Sequence, residues 1–455
     1  MESVLQYING IVWGFPVLIM ILAVGIILTI RTGAAQIRLL PDALSQLIRS
    51  FRKRNKGNGN FSSYRALCTA LAATVGTGNI AGVAGAIALG GPGVIFWMWV
   101  CAILGMIIKC AEVMLAMHFR QKDPVDGYIG GPMYMIEHGL PMNMHFLAVL
   151  YCCFGVVAAL GVGNATQINA VTDGIGEIVH SLNLPFDNGF RIVIGLLAAI
   201  IIFSIFRKGT VGIGQLAEQL IPLASILYIM IALLAIVLRL KYLPVAFRSI
   251  LIGAIQPKAI SGGALCSLFL TVRIGVSRGI FTNEAGMGTA SIAHASSQAQ
   301  APIEQGLMGV MEVFLDTILI CTLTALVILC SGIVIPYGTD PGIELTLKSF
   351  SIILGDWSSV IITALVCLFA FATILGWGLY GGRCCRYLFG NSGWTYFVYA
   401  QSATVLLGAY LKTSVIWEFS EFVNGLMSIP NLIALVLLSG VFVRLLKESE
   451  NAYRH

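Results

Sequence analysis

Charged side chains are scarce in this sequence of 455 residues, since Asp, Glu, Lys and Arg together make up only 11% of it. A typical soluble domain has about 25% charged residues, so the composition excludes a soluble globular protein. Hydrophobic residues make up 58% of the chain, and many apolar runs reach the roughly 20 residues that a helix needs to cross a bilayer. The sequence therefore predicts an all-α, polytopic membrane protein.

The sequence also lacks the residue groupings that an intramembrane enzyme or a channel would need. It contains no HExxH motif and no Ser–His or Cys–His grouping beside a polar cluster, and it shows no continuous polar pore. Its 11 cysteines have no zinc-type spacing and lie mostly in apolar runs, where cysteine behaves as a small hydrophobic residue. We therefore expect neither an enzyme nor a channel, and no cofactor, nucleic-acid partner or obligate protein partner.

Hydropathy predicts eleven membrane spans, and the first of them is expected to be a permanent helix rather than a cleaved signal. The predicted spans are 11–31, 66–90, 93–119, 147–172, 190–206, 213–238, 262–296, 306–335, 354–379, 393–412 and 425–445. Most of the 27 Lys and Arg residues fall in the loop after the first span, in every second loop that follows and in the C-terminal tail. By the positive-inside rule that side is cytoplasmic, so the N-terminus is expected outside and the C-terminus in the cytoplasm.

Two of the predicted spans contain clustered glycines. The second span carries ATVGTGNIAGVAG and the seventh carries GVSRGIFTNEAGMGTAS. Glycine costs about 1 kcal/mol relative to alanine inside a helix, and close helix packing is one reason to accept that cost. Packing does not explain why Asn79, Asn283 and Glu284 lie at the same depth, so the pattern indicates two interrupted helices.

Each interrupted helix opens a block of five spans, and an odd number of spans gives the second block the opposite orientation. Two blocks of this kind are typical of inverted-repeat secondary transporters. The predicted organisation is an extra N-terminal helix with a basic, amphipathic cytoplasmic segment (1–61), two five-helix repeats (62–240 and 241–445) and a cytoplasmic tail (446–455).

An interrupted helix exposes backbone groups that can bind a zwitterion and a cation. Free N–H groups at the start of a half-helix bind a carboxylate, and free carbonyl groups at the end of the other half bind a hard cation such as Na⁺. Thr74, Thr77 and Asn79 add side-chain oxygens beside the first break. This combination indicates an amino acid that is carried together with Na⁺.

The segments GTGNIAGVAGAIALGGPGVIFWMWV, RGIFTNEAGMGTASIAHA and DTILICTLTALVIL resemble the alanine or glycine:cation symporter family of prokaryotes over nearly the whole chain. The resemblance implies a fold similar to the bacterial leucine transporter, with one extra N-terminal span before the five-plus-five core. It also implies import of alanine, glycine and similar small amino acids across the prokaryotic plasma (inner) membrane, driven by a sodium gradient. A proton-coupled or differently selective importer of the same fold is the alternative.

The two breaks and the resemblance together give the expected site. The expected substrate-binding residues are Gly76, Thr77, Gly78, Asn79, Gln167, Phe281, Asn283, Thr373 and Trp377. The expected sodium ligands are Ala72, Thr74, Val75, Asn79, Ala370 and Thr373. Asn79 belongs to both sets because its amide oxygen can face the cation while its amide nitrogen faces the substrate. Gln167 has helix-to-helix hydrogen bonding as its alternative, and Thr373 has a hydrogen bond to its own helix.

Ionisable residues inside the predicted spans are costly unless they are paired. Arg278 and Glu284 are expected to act in coupling or gating. Glu284 is expected to pair with Arg278 or Arg273, to receive the substrate ammonium group, or to titrate as a proton-coupling group. Lys109 and Glu112 lie three residues apart on one helix and are expected to form a packing pair.

Three further polar residues, His294, Glu312 and Asp316, follow the second break. Either Glu312 or Asp316, four residues apart on the eighth predicted span, is expected to help bind a cation. His294 stands alone in the sequence and is expected in a loop or at an interface.

Overall fold

A computed structural model describes residues 16–53, 62–124, 126–181, 184–256, 268–410 and 413–454. Three predicted features lie partly outside these residues: the starts of the spans 11–31 and 262–296, and the end of the span 393–412. Residues 54–61 of the predicted cytoplasmic segment also lie outside them.

The described chain is mostly helical. In chain order its helices are α1 (Pro16–Thr32), α2 (Ala35–Arg38), α3 (Leu40–Lys53), α4 (Ser63–Thr74), α5 (Ala81–Gly90), α6 (Val94–His118), α7 (Pro132–Gly139), α8 (Phe146–Leu160), α9 (Thr166–Ser181), α10 (Asn188–Phe206), α11 (Gly209–Leu238), α12 (Leu243–Ile255), α13 (Leu268–Asn283), α14 (Thr289–Ala295), α15 (Pro302–Val313), α16 (Thr322–Ser331), α17 (Glu344–Leu354), α18 (Trp357–Phe389), α19 (Asn391–Gly408), α20 (Thr413–Leu437) and α21 (Ser439–Arg454). A π-helical turn, Gly161–Ala165, joins α8 to α9, and a second one, Phe314–Cys321, joins α15 to α16.

Within the described residues, seven segments are long and apolar enough to cross a membrane. They are Val94–His118, Met142–Gly176, Asn188–Phe206, Gly209–Leu238, Pro302–Ser331, Trp357–Phe389 and Glu421–Glu450. The other four predicted spans correspond to the shorter helix α1, to the split pairs α4–α5 and α13–α14, and to α19. The chain is therefore a multi-pass helical membrane protein.

The split pairs explain why the clustered glycines sit where they do. Between α4 and α5 the backbone is extended at Gly76 (φ −146°, ψ −154°) and then forms a short 3₁₀ turn, Thr77–Asn79. Between α13 and α14 the chain turns through three residues of positive φ, which are Glu284 (54°), Gly286 (94°) and Gly288 (76°). A non-glycine residue in this conformation is strained, and such strain is found mostly at functional sites.

Helix α18 packs directly on the end of α4, beside the first break. A Cβ atom placed on Gly376 of α18 would lie only 2.7 Å from the backbone nitrogen of Ala73, so the two backbones touch. Small residues permit this close approach inside a membrane, where packing rather than hydrophobicity drives helix association. Residues on α18 are thereby placed next to the break.

A β-hairpin ties the far end of α18 to two other helices. Strand β1 (Gln121–Asp123) pairs antiparallel with β2 (Gly127–Ile129) directly after α6. Asp126 accepts hydrogen bonds at 2.7 Å from both Arg383 and Arg386 of α18, and its other oxygen accepts one at 2.6 Å from Thr210 of α11. Asp123 adds an ion pair at 2.8 Å with Arg386.

Candidate functional site

A cavity of about 20 Å³ lies where the two breaks meet. Its lining residues are Ala73, Thr74, Gly76, Thr77, Gly78, Val162, Gln167, Phe281, Thr282, Glu284, Thr373, Trp377 and Asn424. All the expected substrate-binding residues except Asn79 and Asn283 are among them. A volume of about 10–15 Å³ on this scale holds one water molecule, so the walls enclose a very small space.

The side chain of Asn79 turns away from this cavity. Its Oδ1 accepts a hydrogen bond from the backbone N–H of Gly76 at 2.9 Å, and its Nδ2 donates to Oδ1 of Asp316 at 2.5 Å. The Gly76 N–H must face an oxygen, which fixes the orientation of the amide group. The expected arrangement, with the amide divided between cation and substrate, therefore differs from the structure, because Asn79 instead folds back to cap its own turn.

The first break leaves both N–H donors and carbonyl acceptors of the backbone without hydrogen-bond partners among the described residues. Within the described chain, the N–H groups of Thr77 and Gly78 have no hydrogen-bond acceptor, and the carbonyl groups of Ala72 and Val75 have no donor. The carbonyl of Ala72 is free because its usual helical partner, the N–H of Gly76, is bound to Asn79. Donors for an anion and acceptors for a cation thus lie within one short segment.

Thr373 of α18 lies against this segment. A Cβ atom on Gly76 would be 2.8 Å from the Thr373 Oγ1, and that oxygen is buried without a hydrogen-bond partner in the described residues. The alternative that this hydroxyl bonds to its own helix is therefore wrong. Thr74, in contrast, donates to the carbonyl of Ala70 in its own helix at 3.3 Å. Ala370, one turn before Thr373, is fully buried.

Gln167, the second residue of α9, also lines the cavity. Its Nε2 donates to the carbonyl of Val162 at 3.1 Å, and its Oε1 accepts a long hydrogen bond of 3.4 Å from Thr77. Gln167 therefore lines the cavity and also links α9 to the first break, so the helix-to-helix hydrogen bond expected as its alternative is present.

The second break is already occupied by a carboxylate of the protein. Oε1 of Glu112 accepts hydrogen bonds from the N–H groups of Gly286 at 2.9 Å and Gly288 at 3.0 Å, and from Nδ2 of Asn431 at 2.6 Å. Glu284 accepts a hydrogen bond from Thr289 at 2.5 Å. A substrate carboxylate would compete with Glu112 here, so the first break is the better place for it.

Two expectations about charged residues are wrong. Lys109 pairs with Glu312 at 3.3 Å rather than with Glu112. His294 is fully buried between Gln305, at 2.6 Å, and Glu312, at 3.2 Å, instead of lying in a loop or at an interface. Helix spacing places Lys109 and Glu112 on one face but does not decide which neighbouring helix each of them meets.

Arg278, one of the two arginines expected as partners of Glu284, pairs elsewhere. Its guanidinium group pairs with Glu421 of α20 at 3.4 Å and with Asp340 at 3.8 Å, and not with Glu284. These contacts join α13, the segment before α17 and α20 on the α13 side of the second break.

A sequence model described as the sodium:alanine symporter family matches residues 1–455. The chain belongs to this family. The relatives include the sodium/alanine symporter AgcS of Methanococcus maripaludis, which is 39% identical over 97% of this chain and 95% of its own length. The probable sodium/glutamine symporter GlnT of Bacillus subtilis is 36% identical over 98% of this chain and 91% of its own length. Members of the family are transporters and not enzymes.

The fold agrees with this membership. The crystal structure of MhsT in complex with L-phenylalanine matches 84% of this chain and 90% of its own with a TM-score of 0.59, at 15% sequence identity. The symporter chain therefore has a leucine-transporter-like fold, as the motifs predicted.

Several cavity residues of this sodium:alanine symporter family member were missed from the sequence. They are Ala73, Val162, Thr282 and Asn424. Asn424 is nearly fully buried and its Oδ1 has no hydrogen-bond partner among the described residues. A signal was present, since an asparagine inside an apolar span is unusual, but α20 carries no break that would have drawn attention to it.

Proposed function

We propose that this protein imports alanine, glycine or a similar small amino acid together with Na⁺, by alternating access. The observation that carries the proposal is the cavity between the two breaks, with free backbone donors and acceptors and the unpaired Thr373 hydroxyl on its wall. Family membership and the relative AgcS support sodium as the coupling ion and alanine as a substrate.

The free groups suggest how the two ligands share the site. The substrate carboxylate meets the N–H groups of Thr77 and Gly78, and Na⁺ meets the carbonyl oxygens of the same break together with Thr373. The ammonium group meets acceptors elsewhere on the cavity wall, which are Asn424 Oδ1 and Glu284. With the carboxylate next to the cation, each ligand stabilises the other.

Two aromatic residues of the cavity wall suggest a limit on the size of the substrate side chain. Phe281 and Trp377 both line the cavity, and a methyl group fits such a narrow space better than a long side chain, because overfilling a packed site costs about 1–3 kcal/mol. The relative GlnT is named for glutamine, so the selectivity of this chain has to be measured rather than carried over.

For the architecture, we propose that α4–α5 and α13–α14 are the discontinuous helices of two inverted five-helix repeats, 62–240 and 241–445, with the N-terminus outside and the C-terminus cytoplasmic. Arg278 with its two carboxylates then lies on the outer side of the cavity. The ion pair between Arg65 and Glu218, at 2.9 Å, lies on the inner side, so the two act as alternating gates.

Uptake into proteoliposomes tests the function. We expect labelled alanine to accumulate against its gradient when Na⁺ is high outside, and not when choline replaces Na⁺. Accumulation that persists in choline and follows a pH gradient would overturn sodium coupling in favour of proton coupling. Competition by unlabelled glycine, serine and glutamine then gives the selectivity.

Thr373→Val should specifically weaken Na⁺ binding. An interaction with a charged group is worth about 1.5–3 kcal/mol, so removing the hydroxyl is expected to raise the Na⁺ concentration for half-maximal uptake by roughly 10- to 150-fold. Thr373→Ser keeps the oxygen and should stay close to wild type. A Thr373→Val protein with an unchanged Na⁺ dependence would remove this residue from the cation site.

A further inference from the structure

The π-helical turn between α15 and α16 touches both breaks. Asp316 and its neighbour Thr317 lie in this turn and are fully buried, yet neither lines the cavity. Asp316 meets the first break through Asn79, at 2.5 Å. Thr317 meets the second break through Asn283, whose Nδ2 donates to the threonine hydroxyl at 3.1 Å. Turns of this type occur frequently at functional sites.

The hydrogen bonds run in one consistent direction towards Asp316. The hydroxyl of Thr317 receives its hydrogen bond from Asn283 and donates its own proton to Oδ2 of Asp316 at 2.8 Å. Asn283 is fixed in this orientation because its Oδ1 accepts from the N–H of Ala285 at 3.0 Å. Oδ1 of Asp316 therefore accepts a hydrogen bond from the first break, and Oδ2 is linked to the second break through Thr317. A carboxylate has two acceptor oxygens for these bonds, whereas an amide has only one.

We propose that Asp316 and Thr317 are positioning residues that fix the two breaks relative to each other, so that Na⁺ bound at the first break raises the affinity for the amino acid, whose ammonium group meets Glu284 at the second break. This inference rests on the proposed function. Asp316 and Thr317 with their hydrogen bonds to Asn79 and Asn283 form a bridge between the breaks. Without this bridge the two breaks are ordered separately, and ordering one break no longer lowers the free-energy cost of ordering the other.

The bridge predicts a specific loss in Thr317→Val, which has nearly the same shape but no hydroxyl. In the wild-type protein we expect saturating Na⁺ to tighten equilibrium alanine binding by about 5- to 150-fold. In Thr317→Val this factor should be clearly smaller than in the wild-type protein, because only the direct attraction between the substrate carboxylate and Na⁺ remains, while binding of radioactive Na⁺ alone is retained. Thr317→Ser restores the hydroxyl and should restore most of the factor.

Thr324→Val is the matched control on the adjoining helix. Thr324 is also fully buried, and its hydroxyl bonds to Tyr228 at 2.6 Å, away from both breaks. Its replacement should lower thermal stability and leave the effect of Na⁺ on alanine binding unchanged. If Thr317→Val does not fold, Asp316→Asn offers a second variant, since it keeps the volume and loses one of the two acceptor oxygens.

The outcomes separate this inference from the proposed function. A wild-type protein whose alanine affinity ignores Na⁺ would overturn the proposed function itself. A wild-type protein with the Na⁺ effect, together with a folded Thr317→Val that keeps it, would overturn only the bridge. Loss of Na⁺ binding by itself in Thr317→Val would also overturn it, because the turn would then be a cation ligand rather than a link.

Discussion

Gly76→Ala is expected to abolish sodium-driven amino-acid uptake. The new Cβ atom would lie 2.8 Å from the hydroxyl oxygen of Thr373, which is too close for a carbon atom. Thr373 has a restricted χ1 in its helix, and moving α18 away would break the close packing of Gly376 on the backbone of α4. The break must shift instead, and binding groups that are misplaced by more than about 0.5 Å lose their function.

Gly82→Ala is the control for this prediction. Gly82 lies in the other half of the same split helix, and a Cβ atom there would meet nothing within 4 Å. Alanine is favoured over glycine in a helix by up to about 1 kcal/mol, so this variant should transport as well as wild type. The measurement is uptake per amount of monodisperse, reconstituted protein. Normal uptake by Gly76→Ala, or equal loss in both variants, would contradict the geometry of the first break.

Glu112→Ala is expected to cause the largest loss of stability. Its carboxylate satisfies two buried backbone N–H groups of the second break, and each donor left without a partner costs about 1–3 kcal/mol. The combined loss of roughly 2–6 kcal/mol should lower the melting temperature in detergent markedly. Glu112→Gln keeps one acceptor oxygen and should lose less.

An exposed glutamate gives the comparison. Glu344 pairs with Lys348 one turn along α17, and both side chains are more than 60% exposed. Surface pairs of this kind contribute about 0–1 kcal/mol, so Glu344→Ala should leave the melting temperature nearly unchanged. A Glu112→Ala protein as stable as Glu344→Ala would show that the second break does not depend on the carboxylate.

The positions of the two breaks were predictable from the sequence, and the partners of the buried polar residues were not. Clustered glycines beside a mid-span asparagine mark a local property of the backbone, and the helices do end at Thr74 and Asn283. Asn79 and Asp316 are 237 positions apart, and Glu112 is 174 positions from Gly286. Hydropathy indicates that such groups are buried but does not indicate which helix each of them faces.

The orientation of the Asn79 side chain, which was predicted wrongly, could have been inferred from its local sequence. It stands three residues after Gly76, the spacing at which a side chain reaches back to the first N–H of a turn. Reading the motif GTGN as a capped turn would have predicted an amide occupied by its own backbone. Helix capping therefore explains the orientation of this side chain.

The hairpin that follows α6 has a consequence for how the molecule moves. Asp123 and Asp126 clamp α18 through Arg383 and Arg386, and the same helix presents Thr373 and Trp377 to the cavity. These ion pairs hold α18 in a fixed position relative to the hairpin. In the proposed transport cycle, α4–α5 and α13–α14 would therefore move relative to a fixed α18, and loss of the ion pairs with Arg383 and Arg386 would loosen α18 without removing any group that lines the cavity.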